Sequence, residues 1–151
     1  MAGRDFVNII EVGPRDGLQS ITETVPTTTK IQLIEKLSKT GLHNIEATSF
    51  VSPRWVPQLS DATEVMRAIA PLIKQETIAY PVLVPNIQGL EAAFQTGAKE
   101  ISVFVSASEG FSRKNINCTV LESIARARVV VKKALQRNFR VRAWAISLST
   151  P

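Results

Sequence analysis

A parallel α/β architecture is the fold class this sequence predicts, and three observations predict it. Short apolar, β-rich runs alternate with helical patterns in the order β-α-β-α-β-α-β-α-β. Most of the connections are short, and Gly, Pro, Asn or Asp mark the turning points. Helix starts carry capping residues at recognisable spacing. Strands that alternate with helices across short turns pair in parallel through right-handed crossovers.

The first strand is the apolar run from Phe6 to Val12, ended by the turn residues Gly13, Pro14 and Gly17. A helix is expected from Thr29: Thr29 and Gln32 have capping-box spacing, Ile31, Leu33, Ile34 and Leu37 recur at helical intervals, and Gly41 stops it. His43 to Thr48 is the second strand. A polar, proline-bearing loop from Ser49 to Ser60 leads to a second helix, opened by Asp61 with Glu64 three residues on, that turns Val65, Met66 and Ile69 inward.

The third strand runs from Thr77 to Val84, with Pro81 predicting an irregular end. Asn86 caps a helix through Leu90, Ala93 and Phe94, closed by Gly97. Lys99 to Val105 is the fourth strand, followed by a long polar loop from Ser106 to Cys118. Thr119 and Glu122 form another capping box, and Leu121, Ile124, Ala127, Val131 and Leu135 supply the core stripe of a helix reaching about Arg137. Phe139 to Ser147 is the fifth strand.

Two forms accommodate that order, a doubly wound sheet and a (β/α)8 barrel. After the first strand, Gly13 and Gly17 do not supply the G-x-G-x-x-G fingerprint of the former. The barrel is favoured on chemistry, though a complete one takes about 250 residues. The 151 residues are used up by about five strands and four helices, a truncated barrel with one open edge on either flank. Such edges predict association with a second copy or with a homologue.

Composition narrows the function classes. Hydrophobic residues make up 44% and charged residues 21%, as in soluble globular domains. The net charge of +5 is spread along the chain without a nucleic-acid-binding signature, so a nucleic-acid partner is not expected. Basic charge of this kind suits an acidic or phosphorylated small molecule. No apolar run is long enough for a membrane span, and the lone Cys118 excludes an internal disulfide. The start has neither a signal-peptide core nor an Arg/Ser-rich leader, and Ser149-Thr150-Pro151 is not a peroxisomal tripeptide, which leads to an expected cytoplasmic location.

Barrel chemistry gathers at the carboxyl ends of the strands. Arg15, Asp16 and Gln19 follow strand one there, and Glu46, Thr48 and Ser49 close strand two at the same face. Asn86 follows strand three, and Ser106 to Glu109 follow strand four. Arg15 and Asp16 read equally as a capped structural turn or as a catalytic pair. A carboxylate inside an apolar strand must be paired or protonated, which makes Arg15 the expected partner of Glu46. His43 lies at the opposite end of its strand and is expected at the surface. Trp55 reads as a lid contact or as packing, and Cys118 as a small, half-buried loop residue.

Five segments then carry a resemblance: VGPRDGLQ at 12–19, IEATSFVSPRWVPQ at 45–58, YPVLVPN at 80–86, GLEAAFQTGAKE at 89–100 and ASEGFSRKNINC at 107–118. Together they identify the chain as similar to the amino-terminal half of the 3-hydroxy-3-methylglutaryl-CoA lyases. The resemblance implies a metal-dependent barrel that cleaves 3-hydroxy-3-methylglutaryl-CoA to acetoacetate and acetyl-CoA. It assigns Asp16 to a divalent cation, Mg²⁺ or Mn²⁺, and Arg15 to the thioester oxygen, where enolate charge develops. Glu46 corresponds to the carboxylate that orients this arginine, and Gln19 to a residue supporting substrate or arginine geometry. Arg54, Arg113 and Lys114 are the basic residues expected near the phosphates of an acyl-CoA substrate. The family also admits a mitochondrial location.

The family's remaining ligands, an H-x-H pair and a later asparagine, and its catalytic cysteine have no counterpart here, and Cys118 matches a different cysteine. From Ala143 the sequence departs from the family pattern after about residue 142. The implied expectation is a partial domain over 1–151 whose carboxy-terminal half is absent, with weak metal affinity and little activity alone. Two other readings are a condensing enzyme of the isopropylmalate, homocitrate or citramalate synthase type, which shares the Arg-Asp-Gly-x-Gln turn, and a non-catalytic half-barrel that binds a homologue.

Overall fold

The computed structural model describes residues 7–146, so Phe6 and Ser147, the expected outer ends of the first and fifth strands, lie outside the described residues. Four parallel strands, β1 (Thr48–Ser49), β2 (Val82–Leu83), β3 (Glu100–Ser106) and β4 (Arg140–Ile146), lie side by side in chain order. The expected first strand is reduced to one bridge outside β1, where Glu11 N donates to the Asn44 carbonyl (3.0 Å) and Glu46 N to the Glu11 carbonyl (2.8 Å). The five-strand parallel order is therefore present, with two regular strands and three short ones.

Proline shortens the middle of the sheet. Pro81 and Pro85 flank Val82 and Leu83 and remove backbone donors that a longer ladder would use. An extra residue interrupts the neighbouring strand: Ile45 N and Ala47 N donate to the carbonyls of Ala79 and Pro81, but the next rung is Phe50 N to Leu83 rather than residue 49. Three residues on one strand thus oppose two on the other. Such a bulge re-aims the side chains at a strand end.

Six α-helices lie among the described residues: α1 (Thr27–Leu37), α2 (Ala62–Ala68), α3 (Ala70–Lys74), α4 (Ile87–Phe94), α5 (Glu109–Ile116) and α6 (Val120–Gln136). The expectation of four is corrected at two places. Pro71 separates α2 from α3 at Ile69. The polar loop expected from Ser106 to Cys118 contains α5, which leaves extended backbone at Ser108 and ends at Asn117 in the left-handed conformation (φ 49°). Its polar composition hides it: among its described side chains only Ser112 is buried, with Phe111 and Ile116 half-buried.

Two expected caps are also not formed. α1 begins two residues before Thr29, because Pro26 with φ −58° leads into the helix and its carbonyl accepts from Thr29 and Lys30. Asp61 does not cap α2, because its carboxylate is taken by Lys30 Nζ (2.8 and 2.9 Å) and by the Thr27 hydroxyl (2.7 Å). Asn86 does cap α4, accepting from Gly89 N at 2.9 Å. At Gly89 a Cβ would lie 2.5 Å from the Phe50 carbonyl oxygen, so this helix sits directly on the chain leaving β1.

The core fills the space between the sheet and its helices. Ile34, Ile45, Met66, Val82, Leu90 and Ile101 are fully buried there. The stripe expected on α6 is kept only in part: Val131 packs against the core and Ala127 is half-buried, but Leu121 (77%), Ile124 (38%) and Leu135 (56%) are exposed, and the core positions are Val130 and Ala134. Small residues allow close approach to β3. Ser123 tolerates burial because its hydroxyl donates to the Val120 carbonyl at 2.8 Å.

The expected capping box at the start of α6 is formed, with Glu122 N donating to Thr119 Oγ1 (3.2 Å) and Thr119 N to Glu122 Oε2 (2.7 Å). The Thr119 amide and hydroxyl hold the Glu122 carboxyl below its ordinary value of 4.5. A depressed folded value means that the cap's contribution is complete above about pH 4.5 and is lost as pH falls through the folded value. Replacing Glu122 by Gln should therefore flatten the acid side of the stability profile. Urea midpoints measured at pH 6 and pH 3 check this, and an unchanged difference between the two would refute it.

Candidate active site

The Arg15-Asp16 turn is built by convergence of amides on one carbonyl. Arg15 N (3.1 Å), Asp16 N (2.7 Å) and Gly17 N (3.2 Å) all donate to Val12 O, giving a wide π-type helical turn over Gly13–Gly17. Pro14, locked near helical φ, sits buried at its start. Gly13 N donates to Glu11 Oε1 (2.5 Å), and a Cβ on Gly13 would approach that oxygen to 2.7 Å. Turn and preceding strand are thus tied together before any ligand is considered.

From this turn the Arg15 side chain reaches Glu46. Nε donates to Glu46 Oε1 at 2.5 Å, and Nη1 to Asp16 Oδ1 at 2.5 Å. Arg15 is largely enclosed (17% of its side chain exposed), Glu46 is at 1% and Asp16 at 59%. Glu46 is therefore paired, as a carboxylate in a strand interior must be. The second Glu46 oxygen accepts from the Ser102 hydroxyl at 3.1 Å. Ser102 was not singled out from the sequence; a lone serine in an apolar strand was the available signal.

A cleft of about 590 Å³, lined by Gln19, Ser49, Trp55, Asn86, Lys114 and Arg126 among others, does not include Arg15, Asp16, Glu46 or Ser102, so these two groups of residues are not brought into one cavity. Gln19 is exposed at its edge. Ser49 lines it with a buried hydroxyl that has no partner among the described residues. Thr48 Oγ1 is likewise buried and unpaired. Trp55 is 72% exposed and lines the cleft, so it is not packed into the core. Of the three expected basic residues, Lys114 lines the cleft, Arg113 leans toward Glu109 (3.7 Å) and Arg54 is exposed. Arg126 is a cleft cation that the sequence reading missed.

His43 is exposed at the start of its strand, away from Arg15. Cys118 is buried more deeply than expected, with Sγ 3.9 Å from the Ser112 hydroxyl.

The donor set for a cation is incomplete. Among the described residues no three His, Cys, Asp or Glu side chains gather to hold a metal ion. Asp16 offers one carboxylate, with one oxygen already engaged by Arg15. Hard divalent cations take six or more oxygen donors, part of them water, so these residues alone do not make the site.

Gln58, at the start of the second helical region, ties two loops together. Gln58 accepts from Val25 N (3.0 Å) and donates to the Glu23 carbonyl (2.8 Å), while Lys30 Nζ donates to the Gln58 carbonyl and pairs with Asp61. This clasp joins residues 21–25 to Gln58 and, through Lys30, to Asp61.

Parallel strands with an arginine–carboxylate cluster at one sheet end define part of a (β/α)8-barrel of the hydroxymethylglutaryl-CoA lyase type, as solved structures attest. The chain superimposes on the lyase from Bacillus subtilis with a TM-score of 0.87 at 45% identity, covering 92% of this chain and 46% of that one. A lyase from Acinetobacter baumannii, solved in complex with coenzyme A and 3-methylmalate, gives 0.86 at 36% identity over 96% of this chain and 46% of that one. Among curated relatives, the cytoplasmic 3-hydroxy-3-methylglutaryl-CoA lyase of Danio rerio is 55% identical over 139 residues, 92% of this chain and 41% of the relative. The mitochondrial hydroxymethylglutaryl-CoA lyase of Arabidopsis thaliana is 52% identical over 92% of this chain and 29% of its own length. The chain belongs to the HMGL-like family, whose model matches residues 6–150. It spans less than half the length of these relatives. No helix among the described residues is long and apolar enough to cross a membrane.

Proposed function

We propose that this chain forms the amino-terminal part of the active site of a 3-hydroxy-3-methylglutaryl-CoA lyase. The observation that carries the reading is Arg15, held in a fixed orientation by Glu46 with most of its N–H groups uncommitted among the described residues. Removal of the substrate's hydroxyl proton lets the C2–C3 bond break. Its electrons pass into the thioester as an enolate, C3 becomes the ketone of acetoacetate, and protonation of the enolate gives acetyl-CoA. Arg15 is the positive group that would meet the enolate oxygen, and a preoriented charge there lowers the barrier without reorganisation.

Gln19 and the unpaired Ser49 hydroxyl are the neutral groups offered to the substrate, while Lys114 and Arg126 supply charge toward the coenzyme's phosphates. Asp16 is one oxygen ligand of the divalent cation on which the family depends.

Residues 7–146 grafted in place of the corresponding part of the Bacillus subtilis lyase should give a barrel that releases acetoacetate from 3-hydroxy-3-methylglutaryl-CoA. A folded chimera that instead condensed acetyl-CoA with a 2-oxo acid would favour the synthase reading. One that did neither would point to the non-catalytic one, in which open edges bind a homologue.

A further inference from the structure

Ser102 lies in the middle of β3, opposite Leu83 on one side and Arg142 on the other. Its neighbours Ile101 and Val103 belong to the hydrophobic core, so by strand alternation Ser102 faces away from the helices. The residue is fully buried. An apolar β-branched residue would fit such a position without needing a partner. Its hydroxyl instead reaches across β2 to donate to Glu46 Oε2 at 3.1 Å.

That bond completes Glu46. One carboxylate oxygen accepts from Arg15 Nε and the other from Ser102 Oγ, so two donors on separate strands and turns hold the carboxylate plane. The terminal torsion of a glutamate is otherwise broad and roughly two-fold. With the hydroxyl absent, Glu46 would keep a buried, unpaired oxygen and would gain rotation at the atom that orients Arg15. The backbone of Ser102 is already fixed by the parallel ladder, so the side chain is not needed to form the strand.

We infer that Ser102 is a positioning residue for Arg15, acting through the Glu46 carboxylate. The inference rests on the reading of Arg15 as the group that meets the enolate oxygen, yet its physical content is a hydrogen bond that can be followed without substrate. The readout is hydrogen exchange of the Arg15 Nε–H in the ¹⁵N-labelled full chain, with Arg15→Lys identifying the resonance. Losing a hydrogen bond to a charged group should raise the exchange rate roughly tenfold or more in Ser102→Ala. Ser102→Thr, which restores a hydroxyl, should return it to within about twofold of the parent.

Glu46→Gln serves as the control that breaks the Arg15 pairing directly. If Glu46→Gln accelerates exchange while Ser102→Ala leaves it at the parent rate, the inference is overturned. Ser102→Cys retains size with a much weaker donor and decides the matter should Ser102→Ala not fold: faster exchange supports the inference, and a parental rate overturns it. An inactive chimera would remove the lyase reading and leave this exchange result intact.

Discussion

Replacing Arg15 by Gln in the chimeric barrel is expected to lower kcat for 3-hydroxy-3-methylglutaryl-CoA cleavage by about 10²–10³-fold, with a smaller change in KM. The magnitude follows from losing one preoriented donor to a developing oxyanion, which is worth about 3–4 kcal/mol in low-dielectric sites. The partition follows from timing: the thioester oxygen is weakly charged in the ground state and strongly charged as the C2–C3 bond breaks, so the interaction is made mainly in the transition state. Glutamine preserves hydrogen-bonding capacity toward Glu46 but not the charge, and it leaves that buried carboxylate without its 2.5 Å ion pair. Steady-state kinetics decide the point. Equal kcat with raised KM would show that Arg15 serves ground-state binding alone.

The largest stability effect should come from Lys30→Met. Lys30 is 4% exposed, and its ammonium donates to both Asp61 oxygens and to the Gln58 carbonyl. Removing one member of a buried pair leaves the other charge uncompensated and costs about 3–5 kcal/mol. In a chain of this size that corresponds to a fall in Tm of roughly 6–20 °C. Asp61→Leu added to Lys30→Met should recover part of the loss, since neither charge is then stranded. Thermal unfolding followed by circular dichroism measures both, and a single-variant shift under about 2 °C would contradict this account.

Much of the arrangement was visible in the sequence because local signals agreed with the global fold. Asn86 and the Thr119/Glu122 pair announced the helices they cap, and the alternating order gave the parallel sheet. Other features depend on contacts between distant residues. Asp61 has the side chain and position of an N-cap, yet a lysine thirty-one positions earlier takes its carboxylate. Leu121, Ile124 and Leu135 satisfy a helical period that the core uses at Val131 but not at these three, its deepest positions on α6 being Val130 and Ala134.

At the site, the placement of Arg15 against Glu46 was readable from the rule that a carboxylate in a strand needs a partner. The Ser102 bond was not, since nothing local in β3 indicates which carboxylate lies across an intervening strand. The bulge between Ala47 and Phe50 was equally hidden, because one extra residue leaves no mark on composition.

The convergence of three amides on the Val12 carbonyl has an electrostatic corollary. Loops that bind phosphate present their peptide N–H groups outward, but here the amides of Arg15, Asp16 and Gly17 are spent internally. The turn cannot act as a backbone anion cradle. Among the turn's own groups, negative charge is met by the Arg15 guanidinium, which Glu46 orients. What the turn itself offers an anion is therefore a side chain and not its backbone.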